Sequence, residues 1–453
     1  MPTLHFQRAL TPEGWRSDVR VAITGAHITA VTCGTEPTPG DERCGIGIPA
    51  IGNLHSHTFQ RAMSGLAERR GASADSFWTW RETMYAHALA MTPDDVEAIA
   101  AQAYVEMLEA GYGAVAEFHY LHHAENGAPY ADVAEMALKI ARAAAETGIG
   151  LTLLPVFYAR SDFGGAAARP EQRRFVNDPD QYARLVGRCR EALRETAVVG
   201  VAPHSLRAAT PEELAAVVRL ADRAPIHLHI AEQQAEVDAC IVWSGARPVR
   251  WLFDHADVDE RWCLIHATHA DAEETMSLAR SGAVAGLCPV TEANLGDGVF
   301  PARAFLDGGG KFGVGTDSNV EIGLANELRM LEYAQRLSVR ARNVLAPGGG
   351  STGRALFDAA AAGGAQALGR VSGRLAAGAL ADIVSFSAAS PLIAGRDDDA
   401  ILDTWIFGGA RGLVDSVWSG GSKLVSEGRH KLHEPVAARF AAVLRRLADG
   451  GRG

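Results

Sequence analysis

Ile51-Gly52-Asn53-Leu54-His55-Ser56-His57-Thr58-Phe59-Gln60-Arg61 begins as an apolar, strand-like run and ends in two histidines one residue apart. Alternate side chains of a strand share a face. His55 and His57 would therefore aim their rings at one point from a rigid base. Imidazole suits zinc and related ions. The pair is thus a candidate for two metal-ligand nitrogens. In a chain with 16 histidines an isolated His-x-His is weak, and its weight comes from what surrounds it.

Outward from this run the chain repeats a rhythm of short apolar strand, polar loop and amphipathic helix. The strand candidates are residues 48–54, 113–119, 150–157, 198–203, 225–230, 262–266, 283–288 and 311–315. Helical patterns lie between them. Thr92-Pro93-Asp94-Asp95 supplies an N-cap, a proline at the first helical position and early acids, with Gly111 as the stop. Thr210-Pro211-Glu212-Glu213 has the spacing of a capping box. Gly148 and Gly282 read as C-terminal stops. Eight alternations of this kind predict a (β/α)8 TIM-type barrel over residues 48–371. An open doubly wound sheet is the alternative.

Before the barrel, Val19–Ile23 and His27–Val31 read as antiparallel strands joined by Thr24-Gly25-Ala26. After it, Gly373-Arg374-Leu375-Ala376-Ala377-Gly378-Ala379-Leu380-Ala381-Asp382-Ile383-Val384-Ser385-Phe386 reads as turns and then a strand. Strand-like pieces follow at 404–407, 413–418 and 423–425. Residues 1–47 and 372–435 are expected to build one composite β domain, a small β-sandwich made from both chain ends. A helix is expected at 436–448, within a C-terminal segment of 436–453.

With 47% hydrophobic and 21% charged residues the composition is that of an ordinary globular protein. A formal net charge of -11 argues against nucleic acid or an anionic membrane as partner. The six cysteines are scattered with no Cys-x-x-Cys, which fits a reducing, cytoplasmic compartment. The N-terminus has no signal pattern. No stretch approaches the roughly 20 apolar residues of a membrane span.

Barrel chemistry sits at the carboxyl ends of the strands. Those ends hold His55 and His57, then His227 and His229 with Glu232 shortly after, then His266, then Asp317. Three histidines and an aspartate make a mononuclear metal site with room for a water. From the residues alone His227 or His229 could serve, and His269 competes with His266. The fourth strand end, Ala202-Pro203-His204-Ser205-Leu206-Arg207, holds no lysine that could bridge two metals, so one metal is expected.

The His-x-His, the His-x-x-Glu of His229 and Glu232, His266, Asp317 and the run at 373–382 resemble the amidohydrolase superfamily. The first strand, Ser76-Phe77-Trp78-Thr79-Trp80-Arg81, Glu117-Phe118-His119-Tyr120-Leu121-His122-His123 and Cys288-Pro289-Val290-Thr291-Glu292-Ala293-Asn294-Leu295-Gly296-Asp297-Gly298 resemble the formimidoylglutamate deiminase family of histidine degradation. The resemblance runs over nearly the whole chain. It implies a metal, zinc with iron as a possible substitute, on His55, His57, His229 and Asp317. It implies hydrolysis of N-formimino-L-glutamate to N-formyl-L-glutamate and ammonia, with Asp317 and His266 handling the water proton and Glu232 passing a proton to nitrogen. It also implies a homodimer.

A dicarboxylate substrate needs cations at the barrel mouth, and arginine suits bidentate carboxylate recognition. Arg81 and Arg207 are the candidates, with Gln60, Tyr120 and His204 as further substrate contacts. Trp78 and Trp80 are expected to pack a lid or a subunit contact. Two other readings stand beside this one. A related mononuclear deaminase would act on guanine, cytosine or an adenosine derivative, flat substrates with little use for paired arginines. A non-catalytic barrel would usually have lost ligands, and none is missing here.

Overall fold

The computed structural model describes residues 3–70, 77–409 and 412–450. Ser76 of the aromatic motif and the first two residues lie outside them.

Strands β1 (Thr3–Thr11), β2 (Gly14–Thr24) and β3 (His27–Thr32) form an antiparallel meander, with the β2–β3 turn at Gly25, φ +57°. Strand β4 (Glu42–Pro49) pairs parallel with β1.

A series of parallel strands follows: β5 (Ile51–Ser56), β6 (Tyr112–His119), β7 (Gly150–Phe157), β8 (Ala197–Val199), β9 (Ala202–Pro203), β10 (Ile226–Ile230), β11 (Trp262–His266), β12 (Val284–Leu287) and β13 (Lys311–Val314). Hydrogen bonding runs β5–β6–β7–β8, with β9 also on β7, and separately β10–β11–β12–β13. Bridges from Val201 to Ile226 and from Ser205 to His229 join the two sets on one side, and Ser56 to Asp317 joins them on the other. Helices alternate with these strands and cover them. Strands β6, β10 and β11 are accordingly buried at every position, as expected of parallel strands sheathed on both faces. The expected run at 198–203 is broken at Gly200 into β8 and β9.

The helix signals act as read. Thr92 and Thr210 each close a capping box on the helices Pro93–Glu109 and Pro211–Arg219. Gly148 and Gly282 end their helices in the left-handed conformation. The helix Thr352–Leu368 lies against β5 and β13, close enough that a methyl at Gly363 would strike the Phe312 carbonyl.

Strands β14 (Ile383–Phe386), β15 (Val414–Ser419), β16 (Ser422–Ser426) and β17 (Arg429–His430) return to the N-terminal meander. Both chain ends thus share one eight-stranded sheet, ordered β17-β16-β15-β14-β4-β1-β2-β3. A sandwich of two sheets was expected. The pairing is continuous, because β4 takes β1 on one edge and β14 on the other, and the sheet curls so that Phe6 of β1 and Trp418 of β15 meet with ring centroids 6.5 Å apart. One face carries its own core of Phe6, Val19, Val21, Ile383 and Trp418. The segment 404–407, expected as a strand, ends the helix Asp399–Phe407. Its aromatic and β-branched residues suggested a strand, but Ile401, Leu402, Trp405 and Ile406 are buried at helical spacing. The last helix spans His433–Gly450. Among the described residues no helix is long and apolar enough to cross a membrane.

Candidate active site

The carboxyl ends of β5, β10 and β13 bring His55, His57, His229 and Asp317 into one buried group. His55 Nε2 lies 3.2 Å from His57 Nε2 and 3.0 Å from His229 Nε2. Asp317 Oδ1 lies 3.4 Å from His55 Nε2 and 3.3 Å from His57 Nε2. A tetrahedral cation with bonds of about 2.0–2.1 Å holds its ligand atoms about 3.3 Å apart.

The tautomers agree with that use. His57 Nδ1 donates to the Phe118 carbonyl at 2.8 Å, and His229 Nδ1 donates to the His204 carbonyl at 2.9 Å. A carbonyl only accepts, so each Nε2 presents a lone pair to the common centre. Lone pairs this close repel unless a cation lies between them. Burial, then the neighbouring histidines, hold His55 and His229 well below the usual histidine range, so both are neutral and ready to ligate.

Backbone contacts fix the group. Asp317 N donates to the His55 carbonyl at 2.9 Å, and His57 N donates to the Asp317 carbonyl at 2.8 Å. Asn53 ties the same two strand ends together, donating to Thr316 Oγ1 at 2.7 Å and accepting from Thr316 N at 3.2 Å. Gly315 permits the approach, since a Cβ there would sit 2.7 Å from both His55 N and His55 O. His266 at φ +69° and Asp317 at φ +46° are non-glycine residues in the left-handed region, as are Ala231 and Ala267. Such strain gathers where the surroundings impose a geometry on functional groups.

Beside the group stand the two other acid–base residues. His266 Nε2 lies 3.8 Å from Asp317 Oδ2 and 3.8 Å from Glu232 Oε1. Burial opposes a charge on His266, but Glu232, Glu292 and Asp317 together outweigh it and push its pKa up to about 10. Burial pushes Glu232 up to about 7, with His266 pulling the other way.

Above them is a pocket lined by Gln60, Arg81, Tyr120, His204 and Arg207, together with His57, His229, Glu232, His266 and Asp317. All the residues named from the sequence for metal, chemistry or substrate meet here except His55, which lies fully buried beneath the floor. Gln60 Nε2 donates to Tyr120 OH at 2.7 Å. Arg81 Nε and Arg207 Nε are buried without a hydrogen-bond partner. Arg207 is 3.9 Å from Glu236 Oε1, and that carboxylate raises its affinity for the proton against the cost of burial.

His227 is not in the group, since its Nε2 donates to the Ala367 carbonyl. His269 is not either, and donates to the Asp297 carbonyl. His122 and His123 donate to the carbonyls of Val156 and Val176, which makes them structural.

Sequence reading missed Glu292. Its Oε1 accepts from His266 Nδ1 at 3.2 Å and from Cys288 N at 2.9 Å. The Cys288–Gly298 motif contained it, but nothing local indicates that it turns back to another strand's histidine. Trp78 was given no chemistry, yet its ring lies 4.4 Å from the Arg81 guanidinium. Trp80, read as lid or subunit packing, lines the pocket.

Parallel strands ending in three histidines, an aspartate and an adjoining His–Glu pair define a metal-dependent hydrolase with its site at the strand ends. Residues 46–424 match the amidohydrolase family, and residues 1–45 match the N-terminal domain of formimidoylglutamate deiminase HutF. The chain belongs to the amidohydrolase family. It is 50% identical over 453 residues to a formimidoylglutamate deiminase of Pseudomonas aeruginosa, covering 99% of this chain and 100% of that one. A 5-methylthioadenosine/S-adenosylhomocysteine deaminase of Natronomonas pharaonis is 30% identical over 390 residues, 83% of this chain and 81% of its own. The crystal structure of an amidohydrolase from Brucella melitensis superposes with a TM-score of 0.95 at 55% identity, covering 99% of this chain and 100% of the other.

Proposed function

We propose that this protein hydrolyses N-formimino-L-glutamate to N-formyl-L-glutamate and ammonia, as a cytoplasmic, homodimeric enzyme of histidine degradation. The observation that carries this reading is the pair Arg81 and Arg207, each with an unpartnered buried Nε at the pocket that also holds the metal group. Two fixed cations suit a substrate with two carboxylates. The full-length likeness to the Pseudomonas aeruginosa enzyme supports the same reading.

The parallel strands are read as a closed (β/α)8 barrel over residues 48–371, with 1–47 and 372–435 as the β domain. One zinc ion on His55, His57, His229 and Asp317 would supply Lewis-acid activation of the attacking water near neutral pH. The chain's own groups do the rest. Arg81 and Arg207 hold the carboxylates. Gln60, Tyr120 and His204 line the same pocket and orient the formimino end. Asp317 receives the proton of the attacking water, and His266, kept protonated by the carboxylates of Glu232, Glu292 and Asp317 around it, orients that water. Glu232, whose raised pKa lets it carry a proton near neutrality, delivers one to the departing nitrogen so that ammonia leaves.

The test is a substrate panel with identified products. Metal-loaded protein given N-formimino-L-glutamate should yield ammonia and N-formyl-L-glutamate in equal amounts. Guanine, cytosine and 5-methylthioadenosine should be inert, and turnover of one of these instead would keep the metal group and overturn the substrate.

A further inference from the structure

A second set of donors adjoins the metal group. The ligand atoms of His266, Cys288 and Asp317 all lie within 4.8 Å of one another, and all three residues are buried. Asp317 faces both ways. Its Oδ1 is turned to His55 and His57, while its Oδ2 is 3.8 Å from His266 Nε2. Glu232 Oε1 is also 3.8 Å from that nitrogen. One imidazole nitrogen, one carboxylate and a thiol therefore lie together beside the first group, with Glu232 next to the imidazole.

We propose that these residues form a second, lower-affinity site for a thiophilic divalent cation, and that filling it inhibits the enzyme. The donor types fit zinc, since a thiolate with nitrogen and oxygen donors is a common zinc set. The spacing is close to what is needed. A cation bonded at about 2.0–2.3 Å wants its ligand atoms about 3.3–3.6 Å apart, so side-chain shifts of up to about 1 Å close the site. The outer support is in place too. Glu292 accepts from His266 Nδ1 at 3.2 Å, the carboxylate–histidine arrangement usual behind a metal-bound imidazole. A shared carboxylate is the ordinary bridge between cations about 4 Å apart.

Binding releases the Cys288 thiol proton and any proton on His266 Nε2 to solvent, with no change of oxidation state. Inhibition follows from the identity of the ligands. His266 and Asp317 both serve the proposed reaction, and a cation bound here occupies both. Cys288 has no part in that reaction, so it can be altered without touching the machinery.

This inference rests on the one-metal reading of the first group, and the experiment separates the two. Chelator-stripped full-length protein is titrated with cobalt(II), and in parallel with zinc. Absorption in the thiolate-to-cobalt charge-transfer region is read without substrate, and ammonia release from N-formimino-L-glutamate is read beside it. The first equivalent should restore activity with no thiolate band. Further cobalt should raise the band while activity falls. Cys288→Ser should keep the first-equivalent activity, lose the band and need at least about tenfold more metal for inhibition. Cys288→Ala serves if the serine variant does not fold. The proposal is overturned if excess metal produces neither band nor inhibition, if inhibition is unshifted in the Cys288 variants, or if the band persists in them and so comes from another thiol. A band on the first equivalent would place Cys288 in the first site and overturn it as well. Failure of the first equivalent to bind or activate would instead count against the one-metal reading.

Discussion

Arg207→Met removes a guanidinium that the pocket buries almost completely, its side chain being 9% exposed. Its Nε has no hydrogen-bond partner, and the nearest anion, Glu236 Oε1, is 3.9 Å away. The guanidinium is therefore charged beside Glu236 while its Nε keeps a hydrogen bond to give at the pocket. A hydrogen bond to a charged group contributes roughly 1.5–3 kcal/mol, and about 1.4 kcal/mol is a factor of ten, so kcat/KM for N-formimino-L-glutamate should fall by roughly 10- to 150-fold. The loss should sit mainly in KM, because the carboxylate is held equally in ground and transition states. Formamidine, which has the reacting group and no carboxylate, provides the comparison. Its kcat/KM should be unchanged in the variant. Steady-state ammonia release on both substrates is the assay, with a thermal melt to check that the unpaired Glu236 has not unfolded the protein. An unchanged KM for N-formimino-L-glutamate in a folded variant would refute the carboxylate clamp at this residue. Equal losses on both substrates would show that Arg207 supports the pocket's shape.

Other outcomes follow from the same geometry. Glu232→Gln should keep its metal content and lose kcat by roughly 100-fold or more, the usual scale of a lost proton-transfer group, measured by metal analysis and turnover. Glu292→Gln keeps an acceptor for His266 Nδ1 but removes the charge, so kcat should fall while KM holds; equal kcat would mean the carboxylate only packs. Metal retention should persist on acidification to below the ordinary histidine pKa of 6.5, because burial depresses His55 and His229 and they gain protons only at lower pH. Competition with a chelator across pH 7 to about 5 tests the sign, and release centred above 6.5 would contradict it. Gly315→Ala forces a methyl against the backbone of His55, so it should cost at least 1–3 kcal/mol of stability on the scale of an overpacked core and weaken metal binding, seen by denaturant melt and metal analysis.

Much of this arrangement was legible along the chain because strand ends are local. The period-2 alternation that makes residues 51–56 a strand also puts His55 and His57 on one side. The pair His227 and His229 ends one apolar run, and Asp317 follows just after another, so both places could be named from the chain. The choice between His227 and His229 was not local. Both face inward, and only the carbonyl of Ala367, 140 residues away in sequence, commits His227 elsewhere. Glu292 escaped for the same reason, since its partner His266 belongs to another strand. The order of the eight-stranded sheet depends on β4 pairing with both chain ends, which no local pattern records. At 404–407 local propensity pointed to a strand, and packing of Trp405 and Ile406 into the large core made it a helix.

In the proposed function, one cation on His55, His57, His229 and Asp317 drives deimination of a dicarboxylate. The most direct measurement is ammonia release from N-formimino-L-glutamate by metal-free protein titrated with zinc. No release is expected without metal, then a linear rise that ends at one equivalent per chain. Release that is indifferent to zinc, or no release at one equivalent with the metal bound, would contradict it.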